Sequence, residues 1–401
     1  MNKLFKHFLA MFAILVMGMG TLLASGTKDD FTNTCFTVES LADNNTVTFS
    51  IPAGVTAPLM ALVSYSTDGT NWTTVEVDAT DQVISVVLNQ GETVRFKGVG
   101  VQCCMDPSAF CNIVGTADHI VYGNIMSLLY DDDFALQDQL PADSYYNFGL
   151  LFSGNSHLVS AEDLVLPAET LTQFCYFGMF MECPALTTAP RSLPAKTLEP
   201  NCYYGMFRLC TSLTTPPALP AVDLAPFCYG FMFESCSSLT RTPELPAPTL
   251  VLYSYAYMFA NCSSLVEVTC LATDIFVAGC TEDWLNGVAD NGIFYKDPDM
   301  IDWEPDSPSG IPTGWTVADY DMVDEQQEQV VAYPNPVVDR LHVTGTDLQS
   351  VRVFDMQGRL VHAELCDHAD QVEVDFRGFA KGVYTVSIQS EGRVVTRSIL
   401  R

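Results

Sequence analysis

The fold is decided by residues 219–244, with the sequence LPAVDLAPFCYGFMFESCSSLTRTPE, because this stretch is one of four copies of a single unit. Each copy reads roughly L-P-A-x-x-L-x-x-x-C-Y-x-x-M-F-x-x-C-x-S-L, and equivalent residues recur every 26 or 27 positions. The phenylalanine of the Met-Phe pair marks the register: Phe180, Phe207, Phe233 and Phe259. A worn copy that starts at Leu140 precedes them, and it carries Asn155 where the later copies have their second cysteine.

A period of roughly 20–29 residues with recurrent Leu and Cys predicts a leucine-rich-repeat solenoid. One unit cannot bury its own apolar face, so neighbouring copies must stack. We therefore expect a mostly β fold with short helices, in which residues 116–265 form the solenoid: a degenerate first repeat, then four clear repeats. The short helix is predicted in the C-Y-x-x-M-F segment, because Leu224, Cys228, Met232 and Cys236 recur at helical spacing.

Seven of the 14 cysteines fall into two columns of the repeat: Cys175, Cys202 and Cys228, then Cys183, Cys210, Cys236 and Cys262. The two columns are eight residues apart, about 12 Å along a helix, which is too far for a disulfide. The pattern favours buried free thiols, with bridged or metal-binding cysteines as alternatives. Outside the columns, Cys270 with Cys280 and the group Cys103, Cys104 and Cys111 are the better disulfide candidates.

The beginning of the chain predicts export. Residues 1–26 hold Lys3 and Lys6, an apolar run over 8–23 and then Ala24-Ser25-Gly26, the order of a secretory signal peptide. The apolar run is short for a bilayer span of about 20 residues. The formal charge of -30 repels nucleic acid and anionic membrane. We therefore expect no nucleic-acid partner and no membrane insertion.

Residues 27–115 predict a β-rich N-terminal module, sandwich-like in architecture, that covers the open end of the solenoid. Val47, Phe49 and Ile51 alternate with polar residues, the period of a half-buried strand. Asp68-Gly69 lies between two strand-like runs and predicts a hairpin.

Residues 266–317 predict a cap on the last repeat, because three of the four tryptophans fall there and a terminal repeat needs its apolar face covered. In the alternative reading, exposed Trp303 and Trp315 stack on sugar rings. An acidic linker is expected over 318–329, followed by a last module over 330–401. Alternating apolar residues in this module predict β-strands.

The last module resembles the type A C-terminal sorting domain of type IX secretion. The resemblance rests on YPNP at 333–336, VRVFDMQGRLV at 351–361 and FAKGVYTVSI at 379–388. It implies an Ig-like β-sandwich, the type IX machinery as a partner, and a final location outside the cell or on the outer-membrane surface after export to the periplasm. The motif residues it identifies are Tyr333, Pro334, Asn335, Pro336, Gly358, Gly382 and Tyr384.

The repeats are similar to the BspA-like branch of leucine-rich repeats. The similarity rests on NCSSL at 261–265, CLATDI at 270–275, GIPTGWTV at 310–317 and YSTDGTNWTTV at 65–75. It implies a surface protein that binds host or bacterial surface components.

The sequence lacks the common catalytic signatures, so we expect no enzyme, no cofactor and no metal. A Cys–His nucleophile built from His119 or His157 is a minor alternative. Asp131-Asp132-Asp133 is interpreted as a solvated loop, with calcium binding as the alternative.

The function predicted from these observations is binding or adhesion to a surface protein or glycan of a host or another bacterium. The ligand face is expected on the strand side, at Thr187, Thr214 and Thr240. The alternative is a polysaccharide-capture protein of a nutrient-uptake system.

Overall fold

The computed structural model describes residues 31–52, 61–77, 80–99, 104–106, 109–142, 144–300, 303, 309–320, 331–333, 337, 339–355, 359–390 and 393–401. The predicted signal peptide, Cys103, Pro334, Asn335, Pro336 and Gly358 lie outside these residues. The chain divides into two compact units, Met1–Tyr320 and Asp321–Arg401.

The described residues are mostly β. Their one α-helix, α1, is Ser127–Tyr130, and short 3-10 helices cover Phe31–Asn33 and Asp131–Leu136. The strands, in chain order, are β1 Thr37–Ser40, β2 Asn45–Ile51, β3 Ala61–Ser66, β4 Thr73–Val77, β5 Gln82–Leu88, β6 Thr93–Val99, β7 Cys104–Asp106, β8 Ala109–Phe110, β9 Asn112–Gly115, β10 His119–Asn124, β11 Leu158–Ser160, β12 Leu164–Val165, β13 Arg241–Leu245, β14 Glu267–Cys270, β15 Ile293–Lys296, β16 Thr316–Asp319, β17 Val331–Tyr333, β18 Arg340–Phe354, β19 Leu360–Asp375, β20 Val383–Ser390 and β21 Arg393–Leu400.

The N-terminal strands form two main sheets. One has the order β11-β10-β1-β6-β3-β4, with β12 also on β10, and the other has the order β5-β2-β9. The two sheets pack face to face, as the edge-on contact of Phe49 in β2 with Phe96 in β6 at 5.5 Å shows. Strand β2 buries alternate residues, and Gly69 turns the predicted hairpin at a φ of 76°, so both sequence predictions are confirmed.

The predicted boundary at residue 115/116 is wrong as a structural break. Strand β10 lies beyond it, yet it pairs antiparallel with β1 of the N-terminal module. The same strand pairs in parallel with β11 and β12 of the worn copy. The module and the repeats therefore share one sheet, and no unpaired edge separates them.

Consecutive copies of the repeat lie directly against one another. We number the clear copies 1 (166–192), 2 (193–218), 3 (219–244) and 4 (245–270). Phe180, Phe207, Phe233 and Phe259 form a buried column whose rings stack at centroid distances of 5.2, 5.5 and 5.4 Å. This spacing is close to that of neighbouring strands, about 4.8 Å, so the copies are in main-chain contact.

The predicted helix in each copy is wrong, because the segment is a chain of turns. Phe174, Gly178 and Glu182 in copy 1 have φ of 60°, 54° and 60°, and the same period-four pattern recurs in the other copies. Amides alternate in their partners: the N–H of Phe177 donates to the carbonyl of Phe174, and that of Gly178 donates to the carbonyl of Tyr204 in copy 2. An α-helix would instead pair every N–H four residues back.

The helix prediction failed because two periods are nearly equal. Buried side chains recur in pairs every four residues in the turn segment, as at Cys175 and Tyr176, then Met179 and Phe180. A helix repeats every 3.6 residues, so the two patterns barely diverge over nine residues. Half of the backbone amides of the turn segment donate to carbonyls of the next copy. These carbonyls are within reach only once the copies have stacked, so a single copy gives no sign of them.

The column cysteines are buried free thiols. Each thiol of the second column donates to the carbonyl of a column phenylalanine of the preceding copy, at 3.0 Å from Cys183 to Phe152 and 3.1 Å from Cys236 to Phe207. The predicted disulfide between Cys270 and Cys280 is wrong, since both are free. Cys111 is fully buried.

From the end of copy 3 onward the chain builds a parallel sheet in the order β13-β14-β15-β16. Strand β16 includes residues 318 and 319, so the predicted linker start at 318 is wrong by at least two residues. The ladder with β15 extends there because Ala318 pairs with Tyr295 and Asp319 with Lys296.

The C-terminal unit is one continuous five-stranded sheet of β17-β18-β20-β21, with β19 on β18. The alternation predicted from sequence is confirmed, because Leu341, Val343, Val351 and Val353 are all fully buried. The predicted Ig-like sandwich has two facing sheets, but the described strands form one sheet. The reason is that β18 is long enough to pair with β17, β19 and β20.

Candidate functional site

The most distinctive surface feature is a groove where the ladder between copies is interrupted. It has a volume of about 710 Å³ and lies between residues 214–220, where copy 2 ends and copy 3 begins, and residues 241–246 around β13. We call it the ladder groove. These two segments, which the structure describes in full, share no backbone hydrogen bond.

The interruption is local. Copies 1 and 2 are joined on the strand side, where the N–H of Ala189 donates to the carbonyl of Thr215 at 3.0 Å and that of Ala218 donates to the carbonyl of Arg191 at 2.9 Å. Copies 2 and 3 remain joined on the turn side, where the N–H of Phe207 donates to the carbonyl of Met232 at 2.9 Å. The copies therefore separate only along the strand side.

Prolines explain where the ladder opens. Pro216 and Pro217 lie in one wall, and Pro243 lies in the other. Proline has no N–H and cannot donate to a ladder. Copy 4 has no proline in β14, and there the ladder from β13 onward is continuous. Prolines at equivalent positions do not open the ladder by themselves, because Pro190 and Pro217 are equivalent in copies 1 and 2, which stay joined. The sequence signal of the groove is Pro216, which stands where copy 1 has Ala189, the donor to Thr215. Sequence reasoning missed this signal.

Three ionisable side chains line the groove: Arg191, Arg241 and Glu244. Arg191 pairs with Glu162 and, at 2.5 Å, with Asp163. Glu244 accepts a 2.6 Å hydrogen bond from the hydroxyl of Tyr320, and this bond raises the pKa of Tyr320 to about 12. Arg241 is exposed and forms no ion pair with the residues that the structure describes.

The predicted threonine face contributes one residue to the groove. Thr214 lines it, whereas Thr187 and Thr240 occupy the same position in copies 1 and 3 outside the lining. The hydroxyl of Thr187 donates to the carbonyl of Val159 at 3.0 Å, and that of Thr214 donates to the carbonyl of Thr187 at 3.2 Å. Two of the three hydroxyls therefore hold neighbouring copies together, and Thr240 is exposed.

The tryptophans of the predicted cap lie in the interior. Trp303 and Trp315 are each only 8% exposed. Trp303 stacks on Trp284 at 5.4 Å, and the indole N–H of Trp315 donates to the carbonyl of Ala289 at 2.8 Å. Neither ring offers a free face for stacking on a sugar.

The acidic triplet at residues 131–133 is paired with the ammonium group of a lysine. Lys97 lies 3.0 Å from Asp131 and 2.7 Å from Asp132, and its ammonium also sits over the ring of Trp72 at 4.5 Å. Among the described residues, no cluster of three His, Cys, Asp or Glu side chains is arranged to hold a metal ion.

His119 is fully buried, and both of its ring nitrogens are engaged. Nδ1 contacts the carbonyl of Ala117 at 2.9 Å, and Nε2 contacts Nδ2 of Asn155 at 3.0 Å. Burial lowers the pKa of His119, which favours the neutral ring. The ring is thus not placed to activate a thiol. His157 instead lies 3.2 Å from the carboxylate of Asp118.

The described sorting-motif residues lie at the ends of strands in the C-terminal unit. Tyr333 ends β17, and Gly382 exchanges two backbone hydrogen bonds with Arg401, at 2.9 and 3.0 Å. The Tyr384 hydroxyl donates to the carbonyl of Ala380 at 2.8 Å, and its ring packs against Phe376.

Comparison with known families identifies this unit. Residues 331–400 match the family described as the secretion system C-terminal sorting domain. The resemblance inferred from sequence is confirmed for the tail, which is a type IX secretion sorting domain. The chain is therefore exported to the cell surface or the extracellular space. No helix in the described part of the chain has the length and hydrophobicity to cross a bilayer.

No curated protein sequence matches the chain. A solved structure of the CBM51-2 and INT domains of ZmpB from Clostridium perfringens aligns over 90% of this chain and 71% of its own length, at 10% identity and a TM-score of 0.15. A likeness this loose carries no argument about fold or function.

Proposed function

We propose that the exported chain is a binding or adhesion protein without catalytic activity, whose stacked copies form a leucine-rich-repeat solenoid of the BspA-like kind. Its ligand is a protein or glycan on the surface of a host or another bacterium. The observation that supports this most is the ladder groove, a preformed concave site on the strand side of the repeats.

The size of the groove is in the usual range of ligand sites, which run from about 300 to 1,000 Å³. Its proline walls are stiff, so a ligand loses little affinity to ordering of the protein. Thr214 of the predicted threonine face lines the groove, and Thr240 is exposed next to Arg241 of the lining.

The alternative function is polysaccharide capture by the cap. It rested on exposed tryptophan rings and is no longer supported, because Trp303 and Trp315 are buried. A glycan ligand remains within the main proposal, but only at the strand side.

The test is adhesion of the purified full-length protein to host cells, extracellular matrix and bacterial surfaces. The triple variant Thr187→Arg, Thr214→Arg and Thr240→Arg is expected to lose at least tenfold in binding. Because two of these hydroxyls join copies, Thr240→Arg alone serves as a second variant that leaves those bonds intact.

A matched control places arginines near the start of copies 2 and 4, outside the groove lining, with Thr197→Arg and Thr249→Arg, both at exposed positions. This control is expected to bind as the unmodified protein does. Failure of the unmodified protein to adhere to any surface, or equal loss in the control, contradicts the proposed function.

A further inference from the structure

Among the strands that the structure describes, none lies beside the edge of β13 that faces the ladder groove. Strand β13 is the first strand of the parallel sheet β13-β14-β15-β16, so it pairs on one side only. In copy 2 the corresponding edge is covered by the closing segment of copy 1, where the N–H of Ala189 donates to the carbonyl of Thr215. An uncovered edge within a sheet pairs readily with another extended chain.

The groove has the dimensions of one extended segment. Its walls are six to seven residues long, and a strand advances about 3.3 Å per residue, so the walls run for roughly 20 Å. Pro216 stands where Ala189 of copy 1 donates to Thr215, and because it has no N–H, copy 2 cannot form the equivalent bond to the β13 segment. The gap in the ladder thus follows from the sequence of the repeats.

One cation in the groove lining is available to a ligand. Arg191 is already paired with Glu162 and Asp163, and Glu244 keeps its negative charge because its hydrogen bond comes from the neutral hydroxyl of Tyr320. Arg241 is exposed and forms no ion pair among the described residues. A ligand carboxylate is therefore favoured beside Arg241.

The lining contains no aromatic residue. A sugar ring would find no flat apolar platform there, whereas an extended peptide finds main-chain groups and proline surfaces. These observations favour a peptide over a glycan.

We propose that the ladder groove binds one extended peptide segment with acidic side chains, which lies along the free edge of β13 in the manner of strand addition. The inference rests on the proposed binding function and specifies its ligand class. Arg241 is the residue that selects acidic side chains, and the main chain of β13 supplies hydrogen bonds.

The experiment measures binding of fluorescent ten-residue peptides to the full-length protein by anisotropy. The probes are alternating Thr-Glu, alternating Thr-Lys, and a Thr-Glu peptide N-methylated at alternate residues to remove hydrogen bonds on one edge. An oligogalacturonate is the competitor that tests for an acidic glycan. Arg241→Glu tests charge, and Ala218→Trp fills the groove. Lys196→Glu is the matched control, because Lys196 is an exposed cation of copy 2 outside the groove.

We expect the Thr-Glu peptide to bind at least tenfold more tightly than the Thr-Lys and N-methylated peptides. Arg241→Glu and Ala218→Trp should each weaken binding at least tenfold, and Lys196→Glu by less than twofold. Equal binding of all peptides, equal effects of Arg241→Glu and Lys196→Glu, or saturable binding of oligogalacturonate alone overturns the peptide site. If the threonine variants abolish adhesion while these peptides do not bind, the proposed function stands and only the ligand class is wrong.

Discussion

At the scale of single residues, the buried thiols show how a small side chain joins two copies. Each second-column cysteine fills the space beside the phenylalanine column and donates to a carbonyl of the preceding copy, as Cys210 does to Phe180 at 3.0 Å. Cysteine suits this position because its thiol is small, apolar and a weak donor. The columns were predicted from sequence, but their hydrogen bonds were not, since the carbonyls belong to another copy.

The free energy of unfolding should fall in alkali because of buried thiols in both columns and at Cys270. Burial raises the pKa of Cys175, Cys228, Cys262 and Cys270 from 9.0 to about 12. Below about pH 9 the thiols keep their protons in both the folded and the unfolded chain, and the folded state has its full stability. Between pH 9 and 12 the thiols ionise only in the unfolded chain, so the free energy of unfolding falls as the pH rises. The free energy of unfolding should drop by up to about 1.4 kcal/mol per thiol per pH unit.

The measurement is urea unfolding in the presence of reductant at about pH 8, 9 and 10. The double variant Cys175→Ala and Cys228→Ala should show a shallower slope between pH 9 and 10, although it is less stable at pH 8. A stability that is flat across this range, or rapid labelling of the column thiols in the native protein, contradicts this account.

Asn155 shows why the worn copy departs from the repeat. Its Nδ2 contacts Nε2 of His119 at 3.0 Å and donates to the carbonyl of Ile113 at 3.1 Å, so one side chain serves two buried acceptors of the N-terminal module. Asn155→Ala leaves both unsatisfied and should lower the free energy of unfolding by about 2–3 kcal/mol.

Chemical denaturation measures this loss. Asn286→Ala is the control at an exposed position, where the change should stay within about 0.5 kcal/mol. A loss under about 1 kcal/mol at Asn155 would show that the contact is not a structural link.

At the scale of elements, the turn segment is the part that sequence reasoning misjudged. Glu182 is exposed and held at a φ of 60°, where glycine is favoured, and glycine occupies equivalent or neighbouring turns at Gly178 and Gly205. Glu182→Gly should raise the free energy of unfolding by about 0.5–1 kcal/mol, because relief of about 1–2 kcal/mol of strain exceeds the added entropy of the unfolded chain.

The same substitution in a helix would lower stability by about 1 kcal/mol, so thermal unfolding separates the two structures by the sign of the change. Ser264→Gly provides the comparison at an exposed position without positive φ. It should be neutral or slightly destabilising.

The strands illustrate both what the sequence predicts and where it stops. Alternation predicted β2 and the core of the sorting domain, because one face of each strand is buried and the period of two is unambiguous. The ladder groove was not predicted, since it depends on Pro216 replacing an amide whose hydrogen-bond partner would lie in another copy. Each proline-rich stretch alone indicates only a short strand.

At the scale of the whole molecule, the repeat period predicted that consecutive copies stack, but with helical segments rather than main-chain contact between them. The sorting motifs predicted a terminal module over 330–401, and the chain divides into two compact units between Tyr320 and Asp321. The joining of the N-terminal module to the repeats was not foreseen, because β10 reads as an ordinary strand and its two different partners lie far away in sequence.

The central claim is that copies stack at the spacing of strands, and spin-label distances test it most directly. The labels are attached to non-natural side chains, so that they do not react with the native thiols. They are placed at positions 154 and 261, which are exposed, occupy the same position of the repeat and are four copies apart. We predict a distance of roughly 21 Å, rising by about 5 Å for each copy as pairs are moved apart. A rise of about 8–10 Å per copy, the separation of packed helices, or distances that do not increase linearly would contradict the account.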